Sequence, residues 1–141
     1  VLLIQISYGG FTAGLKAGFV SNSWPLMFGK WIPDDLFTKA AHILESAQTV
    51  VFIHRWFAFI ALFFGIALYF VARKHKVSRD LTIGLVWLLV LGSMQIFFGI
   101  LVVRYSVHIF MALVHQLTAV FLFRWAIFFM HRFRAMDYRK V

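Results

Sequence analysis

Two histidines inside long apolar segments are the residues of this sequence best suited to carry chemistry. His54 lies in the run VVFIHRWFAF and His115 in the run MALVHQLTAV. Ionisable residues within a membrane span are costly and usually functional. Measured from the same predicted membrane face, at ~1.5 Å per helical residue, the two histidines lie ~9 Å and ~12 Å deep. Two imidazoles at matched depth on different helices are what axial ligation of a haem in a helical bundle requires.

The alternative for each histidine taken alone is a packing role, in which the imidazole only forms hydrogen bonds between helices. The matched depth of His54 and His115 favours ligation of a haem iron over that alternative. Gln95 and Gln116 also lie within apolar segments, and we interpret them as helix-packing residues. The sequence contains no cysteine, which excludes disulfides, thiolate metal sites and covalent haem attachment through a C-x-x-C-H motif.

Basic residues lie beside the predicted haem site. Arg55 follows His54 directly, and arginine pairs with carboxylates through two parallel hydrogen bonds. We therefore predict that Arg55 contacts the anionic propionates of the haem. Lys16 and Arg104 end their apolar segments on the same side, and we interpret them as residues whose side chains extend to lipid headgroups. His108, seven residues before His115, is interpreted as a membrane-boundary residue rather than a ligand.

The elements that must position these residues are predicted to be membrane helices. Hydrophobic residues make up 62% of the 141 residues, the mean hydropathy is +0.86 and only 13% of residues are charged. Soluble domains have about a quarter of their residues charged. We predict an all-α membrane protein, a four-helix transmembrane bundle that occupies residues 1–141 as one unit. Its spans are predicted at about residues 1–15, 49–72, 81–103 and 107–130, with an extramembrane loop at about 21–48 that contains a short helix near 38–46.

The distribution of charge supports the membrane assignment. The net charge of +9 comes from basic residues at the ends of the apolar runs, which is a topology signal and not the basic face of a nucleic-acid-binding protein. The basic loop after the second span and the C-terminal tail are predicted to face the cytoplasm or the mitochondrial matrix. The basic residues of these two segments are Arg73, Lys74, Lys76, Arg79, Arg132, Arg134, Arg139 and Lys140. The sequence starts at Val1 inside an apolar stretch without a recognisable signal peptide, so we expect it to be part of a longer protein.

Four short motifs occur in a specific order along the chain. They are AGLKAG at residues 13–18, NSWPLM at 22–27, FIHRW at 52–56 and VHQ at 114–116. In this combination they closely resemble the C-terminal half of the haem A synthases of proteobacteria and mitochondria. The resemblance covers essentially the whole chain, and it is the combination that is specific, since no single motif would be.

The resemblance implies a fold and a function. Haem A synthases are eight-helix proteins made of two similar four-helix halves, and they oxidise a methyl group of haem O to the formyl group of haem A for cytochrome oxidase. Their C-terminal histidine pair, which matches His54 and His115, is thought to hold a haem b. Their N-terminal half carries a functionally important glutamate three residues before its first histidine, where this chain has Val51. The resemblance therefore implies the cofactor half, with catalysis elsewhere in the full-length enzyme.

The resemblance also implies partners and a location. The partners are the lipid bilayer, the N-terminal half of the same protein, haem O and haem A as substrate and product, a second copy of the protein and haem O synthase. The location is the bacterial cytoplasmic membrane or the mitochondrial inner membrane. One alternative is a bis-histidine membrane cytochrome b that serves as an electron-transfer subunit, although the WPLM loop and its order relative to the histidines disfavour it. The other is a structural or transport module without haem.

Overall fold

The computed structural model describes residues 1–137, with side chains to residue 133, and its secondary structure is helical. No β-strand occurs within that part of the chain; an isolated bridge pairs Met27 with Lys30. This confirms the all-α fold predicted from the sequence. Of the basic tail used to predict orientation, Arg139 and Lys140 lie outside the described residues. The helices are α1 (Leu2–Gly14), α2 (His42–Glu45), α3 (Ala47–Lys74), α4 (Arg79–Arg104) and α5 (Ile109–Asp137).

Three helices, α3, α4 and α5, are long and apolar enough to cross a membrane. Serine hydroxyls accept a backbone hydrogen bond at the start of two of them, Ser46 from Thr49 in α3 and Ser78 from Leu81 in α4. Helix α1 has 13 residues and is not one of the three. The prediction that the first segment also spans the membrane therefore stays a prediction.

The helices pack in chain order, α1 on α3, α3 on α4 and α4 on α5. Few side chains are buried between them, and large apolar side chains such as Phe63 and Phe121 remain 66% and 62% exposed. Apolar surface of this kind is stable against lipid, because lipid tails are as apolar as the side chains themselves. The exposed apolar surface therefore agrees with a membrane protein.

The segment between α1 and α3 packs against the first turns of α3. It begins with a 3-10 turn at Ala17–Phe19, and its short helix α2 covers only His42–Glu45 of the region predicted as helical. Ala17 and Met27 form a buried apolar cluster with Val51 of α3. The hydroxyl of Thr49 donates to the backbone carbonyl of Leu36 at 2.6 Å. This packing anchors α3 one to two turns before His54.

An aromatic cluster joins the same loop to the outer surface of α3. Trp24 stacks on Phe59 with ring centres 5.9 Å apart, and it lies 6.5 Å from the ring of Trp56. The ring of Trp31 lies 6.1 Å from Trp56 on its other side. Tryptophan is enriched where a helix meets the membrane surface. The cluster covers the N-terminal half of α3, the half nearer to the outer membrane boundary predicted from the sequence.

Candidate functional site

His54 of α3 and His115 of α5 lie side by side in the structure. Their ring centres are 6.5 Å apart and their ring planes are perpendicular. The sequence predicted similar depths for the two histidines and, from those depths, ligation of one haem; the ligation stays a prediction. The packing of α3 and α5 around α4 brings the imidazoles into one site.

The separation of the two imidazoles suits a single metal centre between them. Metal–imidazole bonds are about 2 Å long. Because the bonding nitrogen lies about 1 Å from the ring centre, two axial imidazoles on one iron have ring centres about 6 Å apart. Within residues 1–133, no group of three or more His, Asp or Glu side chains could hold a bare metal ion. Two imidazoles suffice for haem, since the porphyrin supplies the remaining ligands, so the donor set fits a haem.

Two glutamines on neighbouring helices contact the histidines. The Nε2 of Gln5 in α1 donates to the backbone carbonyl of His54 at 3.1 Å and lies 3.2 Å from the ring Nδ1. The Nε2 of Gln95 in α4 donates to the backbone carbonyl of His115 at 3.0 Å and lies 3.3 Å from the ring Nε2. The predicted packing role of Gln95 is confirmed, whereas Gln116 is exposed. Sequence reasoning did not single out Gln5.

Glycines make room for both imidazoles. One helical turn after each glutamine stands a glycine, Gly9 in α1 and Gly99 in α4. A Cβ atom at Gly9 would lie 3.2 Å from Cε1 of His54, and one at Gly99 would lie 3.2 Å from Cε1 of His115. Such contacts are shorter than the distance of roughly 3.5–4.0 Å between carbon atoms in ordinary packing. The two rings therefore rest directly on the backbones of α1 and α4.

Arg55 is buried beside the site, with 7% of its surface exposed. Its Nη1 donates to the backbone carbonyl of Ser23 at 3.1 Å, and its Nη2 donates to that of Ser21 at 2.7 Å. The sequence predicted a contact with haem propionates, and the structure shows two of its nitrogens engaged with the loop. The third, Nε, is buried and has no hydrogen-bond partner among the described side chains and backbone.

The remaining residues considered from the sequence lie outside the site. Lys16 and Arg104 are exposed. His108 is exposed too, and its Nδ1 accepts a hydrogen bond from the backbone N–H of Phe110 at 3.3 Å, in the first turn of α5. Val51 is 2% exposed within the apolar cluster below the loop, so no carboxylate occupies that position.

Comparison with known proteins places the chain in a family. The family profile described as "Cytochrome oxidase assembly protein", COX15-CtaA, matches residues 1–127, which include both histidines and both glutamines. The chain is 36% identical to the "Heme A synthase" of Flavobacterium johnsoniae over 136 residues, 93% of this chain and 40% of that protein.

Two further relatives carry the same name. The "Heme A synthase" of Brucella ovis is 35% identical over 129 residues, 89% of this chain and 36% of that protein. That of Bartonella henselae is 34% identical over 123 residues, 85% of this chain and 34% of that protein. The chain thus spans two fifths or less of the length of these relatives, and no solved structure matches it. Since the family profile runs through the loop and every helix that contributes to the histidine pair, the chain belongs to the COX15-CtaA family of cytochrome oxidase assembly proteins.

Proposed function

We propose that this chain is the haem b-binding part of a haem A synthase. The full-length enzyme would oxidise the methyl group of haem O to the formyl group of haem A, which cytochrome oxidase requires. The observation that carries the proposal is the 6.5 Å separation of the His54 and His115 rings, because it matches the spacing of two axial ligands on one iron. Family membership and relatives named "Heme A synthase" support the pathway.

His54 and His115 would together hold the haem and leave its iron no open site for oxygen, so the haem would supply electron transfer or structural stability. The protein's own contribution is to hold the two rings at fixed depth and orientation, through the helix backbones of α1 and α4. Val51 supplies no carboxylate to the site. Both points support a division of labour in which oxidation of haem O occurs in the other part of the full-length enzyme.

Arg55 contacts both the loop and the haem in this proposal. Two of its nitrogens hold the loop at Ser21 and Ser23, while its buried Nε remains available for an anion. A haem propionate is the anion expected there, since arginine forms charge-assisted hydrogen bonds with carboxylates. Arg55 would thus link the haem to the extramembrane loop.

The proposed setting is the bacterial cytoplasmic membrane or the mitochondrial inner membrane. The basic loop between α3 and α4 supports an orientation with that loop on the cytoplasmic or matrix side. Proposed partners are the lipid bilayer, the N-terminal half of the full-length protein, haem O and haem A, a second copy of the protein, and haem O synthase. The exposed apolar side chains of α3 to α5 support the first two.

An absorption spectrum of the protein purified in detergent tests the proposal. We expect a reduced α-band and a pyridine haemochrome typical of haem b, both lost in His54→Ala and in His115→Ala. His108→Ala is the matched control, because its imidazole lies directly before α5 and outside the site, and its loss should leave the spectrum unchanged. Wild-type protein that contains no haem after expression with ample haem supply would refute the ligand assignment.

A second measurement separates a haem A synthase from a bis-histidine cytochrome b, whose ligand geometry would be the same. Conversion of haem O to haem A by the full-length protein should be present in the wild type and lost in His115→Ala. A protein that binds haem b through both histidines but forms no haem A would favour the electron-transfer subunit.

A further inference from the structure

A glutamine and a glycine contact each histidine in the same way, from two different helices. In both cases the glycine follows the glutamine by four residues, so both lie on one face of their helix. The two sets are Gln5, Gly9 and His54 on α1 and α3, and Gln95, Gly99 and His115 on α4 and α5. The repetition suggests that each imidazole needs the same support.

The amide groups of the two glutamines have the same atom without a hydrogen-bond partner. Each Nε2 donates to the backbone carbonyl of its histidine, which has a second lone pair beyond the one used in the helix. Each Oε1, in Gln5 and in Gln95, is buried and has no hydrogen-bond donor among residues 1–133. A buried acceptor without a partner is unfavourable. The same missing hydrogen bond at both glutamines therefore suggests that each Oε1 accepts from a donor near the histidine ring.

A ligating imidazole supplies such a donor. One ring nitrogen binds the metal, and the other carries a proton that requires an acceptor. One nitrogen of each ring lies next to a glutamine amide, Nδ1 of His54 at 3.2 Å and Nε2 of His115 at 3.3 Å. The other ring nitrogen of His115, Nδ1, is buried and has no hydrogen-bond partner in the described part of the chain. In the structure the amide Nε2 is the atom that lies next to the ring. Because the terminal torsion of glutamine is broad, the amide can turn and present its oxygen to the ring instead.

We propose that Gln5 and Gln95 are positioning residues for the haem ligands. With haem bound, each amide would turn so that its oxygen accepts the N–H of the adjacent imidazole, while the opposite ring nitrogen binds iron. This inference rests on the proposed function, in which both imidazoles ligate a haem. The hydrogen bond makes the imidazole a more basic ligand. It therefore stabilises ferric over ferrous iron and lowers the reduction potential of the haem.

Redox titration of the haem-loaded protein tests this role. Gln5→Met and Gln95→Met keep the length of the side chain but remove the acceptor, so the reduction potential should rise. Gln5→Glu and Gln95→Glu place a stronger acceptor there, so the potential should fall. Loss of such an outer partner weakens metal binding roughly 10- to 100-fold. A tenfold loss confined to the ferric state corresponds to a rise of about 59 mV for a one-electron couple.

Gln116→Met is the matched control, since Gln116 is the exposed glutamine next to His115. Its potential should equal that of the wild type. Unchanged potentials in the methionine variants, in protein that binds haem normally, would overturn the positioning role and leave ligation intact. Wild-type protein without haem would instead overturn the proposed function. If a methionine variant does not accumulate, the reduction potential of the glutamate variant at that position decides. If both variants fail to accumulate at both positions while Gln116→Met accumulates, these glutamines have a packing role and the inference is overturned.

Discussion

Adding one methyl group beneath each imidazole should weaken haem binding. The substitutions are Gly9→Ala in α1 and Gly99→Ala in α4. In both, the new Cβ lies 3.2 Å from Cε1 of the adjacent histidine ring. Carbon atoms in contact prefer roughly 3.5–4.0 Å, so the ring must move by several tenths of an ångström. A ring that binds iron on one side, as proposed, and contacts a glutamine on another would have little freedom to do so.

Two opposing effects set the size of the loss. Replacing glycine by alanine within a helix stabilises the helix by about 1 kcal/mol. Overpacking of a well-packed site typically costs about 1–3 kcal/mol. The unfavourable effect should exceed the favourable one, because the contact is with a rigid ring and not with the end of a flexible side chain. We expect a net loss near 1 kcal/mol, which weakens haem retention about fivefold.

Haem content per protein and the low-spin signal of the ferric haem are the quantities to measure. Gly10→Ala is the control in α1, because nothing lies within 4 Å of its new Cβ, and Gly92→Ala is the control in α4, where Leu62 lies at an ordinary 3.6 Å. Both controls should retain haem fully. If Gly9→Ala and Gly99→Ala match their controls in haem content and spectrum, the imidazoles do not rest on these backbones as described.

Three further predictions concern other parts of the molecule. Gly84→Ala should destabilise the protein by about 1–3 kcal/mol or more, because its Cβ would lie 2.5 Å from Cδ2 of Phe129. Thermal unfolding in detergent measures this change, and an unchanged midpoint would contradict the α4–α5 packing. Arg55→Met should speed hydrogen exchange in the loop around Ser21 and Ser23, since each lost hydrogen bond from a charged donor is worth about 1.5–3 kcal/mol. Exchange at the wild-type rate would show that the guanidinium does not hold the loop. Acidification should release the haem, because a protonated imidazole nitrogen cannot bind iron. During an acid titration the α-band should disappear in a proton-dependent and reversible step. A band that persists in strong acid would exclude imidazole ligation.

The helices and the approximate depth of the histidines were predictable from the sequence. Apolar runs bounded by charged residues mark α3, α4 and α5. The structure changes their ends by one or two residues, except that α5 continues seven residues beyond its predicted end. Depth follows from counting residues from a helix end, which is why His54 and His115 could be paired before their contact was known. The family resemblance then added a specific functional hypothesis, which spacing alone left open between several classes.

The direction of each side chain was much less predictable. A soluble helix shows its buried face through the alternation of apolar and polar residues, but a membrane helix is apolar on all sides. Gln5 and Gln95 could therefore not be assigned to the histidines, although the shared spacing Gln-x-x-x-Gly at Gln5 and Gln95 was a usable signal. The partners of Arg55 were missed for a different reason, since they are backbone carbonyls of an irregular loop whose path no periodic pattern specifies.

The close pair of histidines also bears on the topology of the chain. About 60 residues separate His54 from His115, so a haem held by both would be a non-covalent cross-link that closes a long loop. A covalent link around a loop of that length reduces the freedom of an unfolded chain by about 4 kcal/mol at most. Helices that stay in the bilayer have less freedom to lose, which makes that figure an upper bound. The haem would then also be a folding constraint, one that holds α3 and α5 together in addition to their packing against α4.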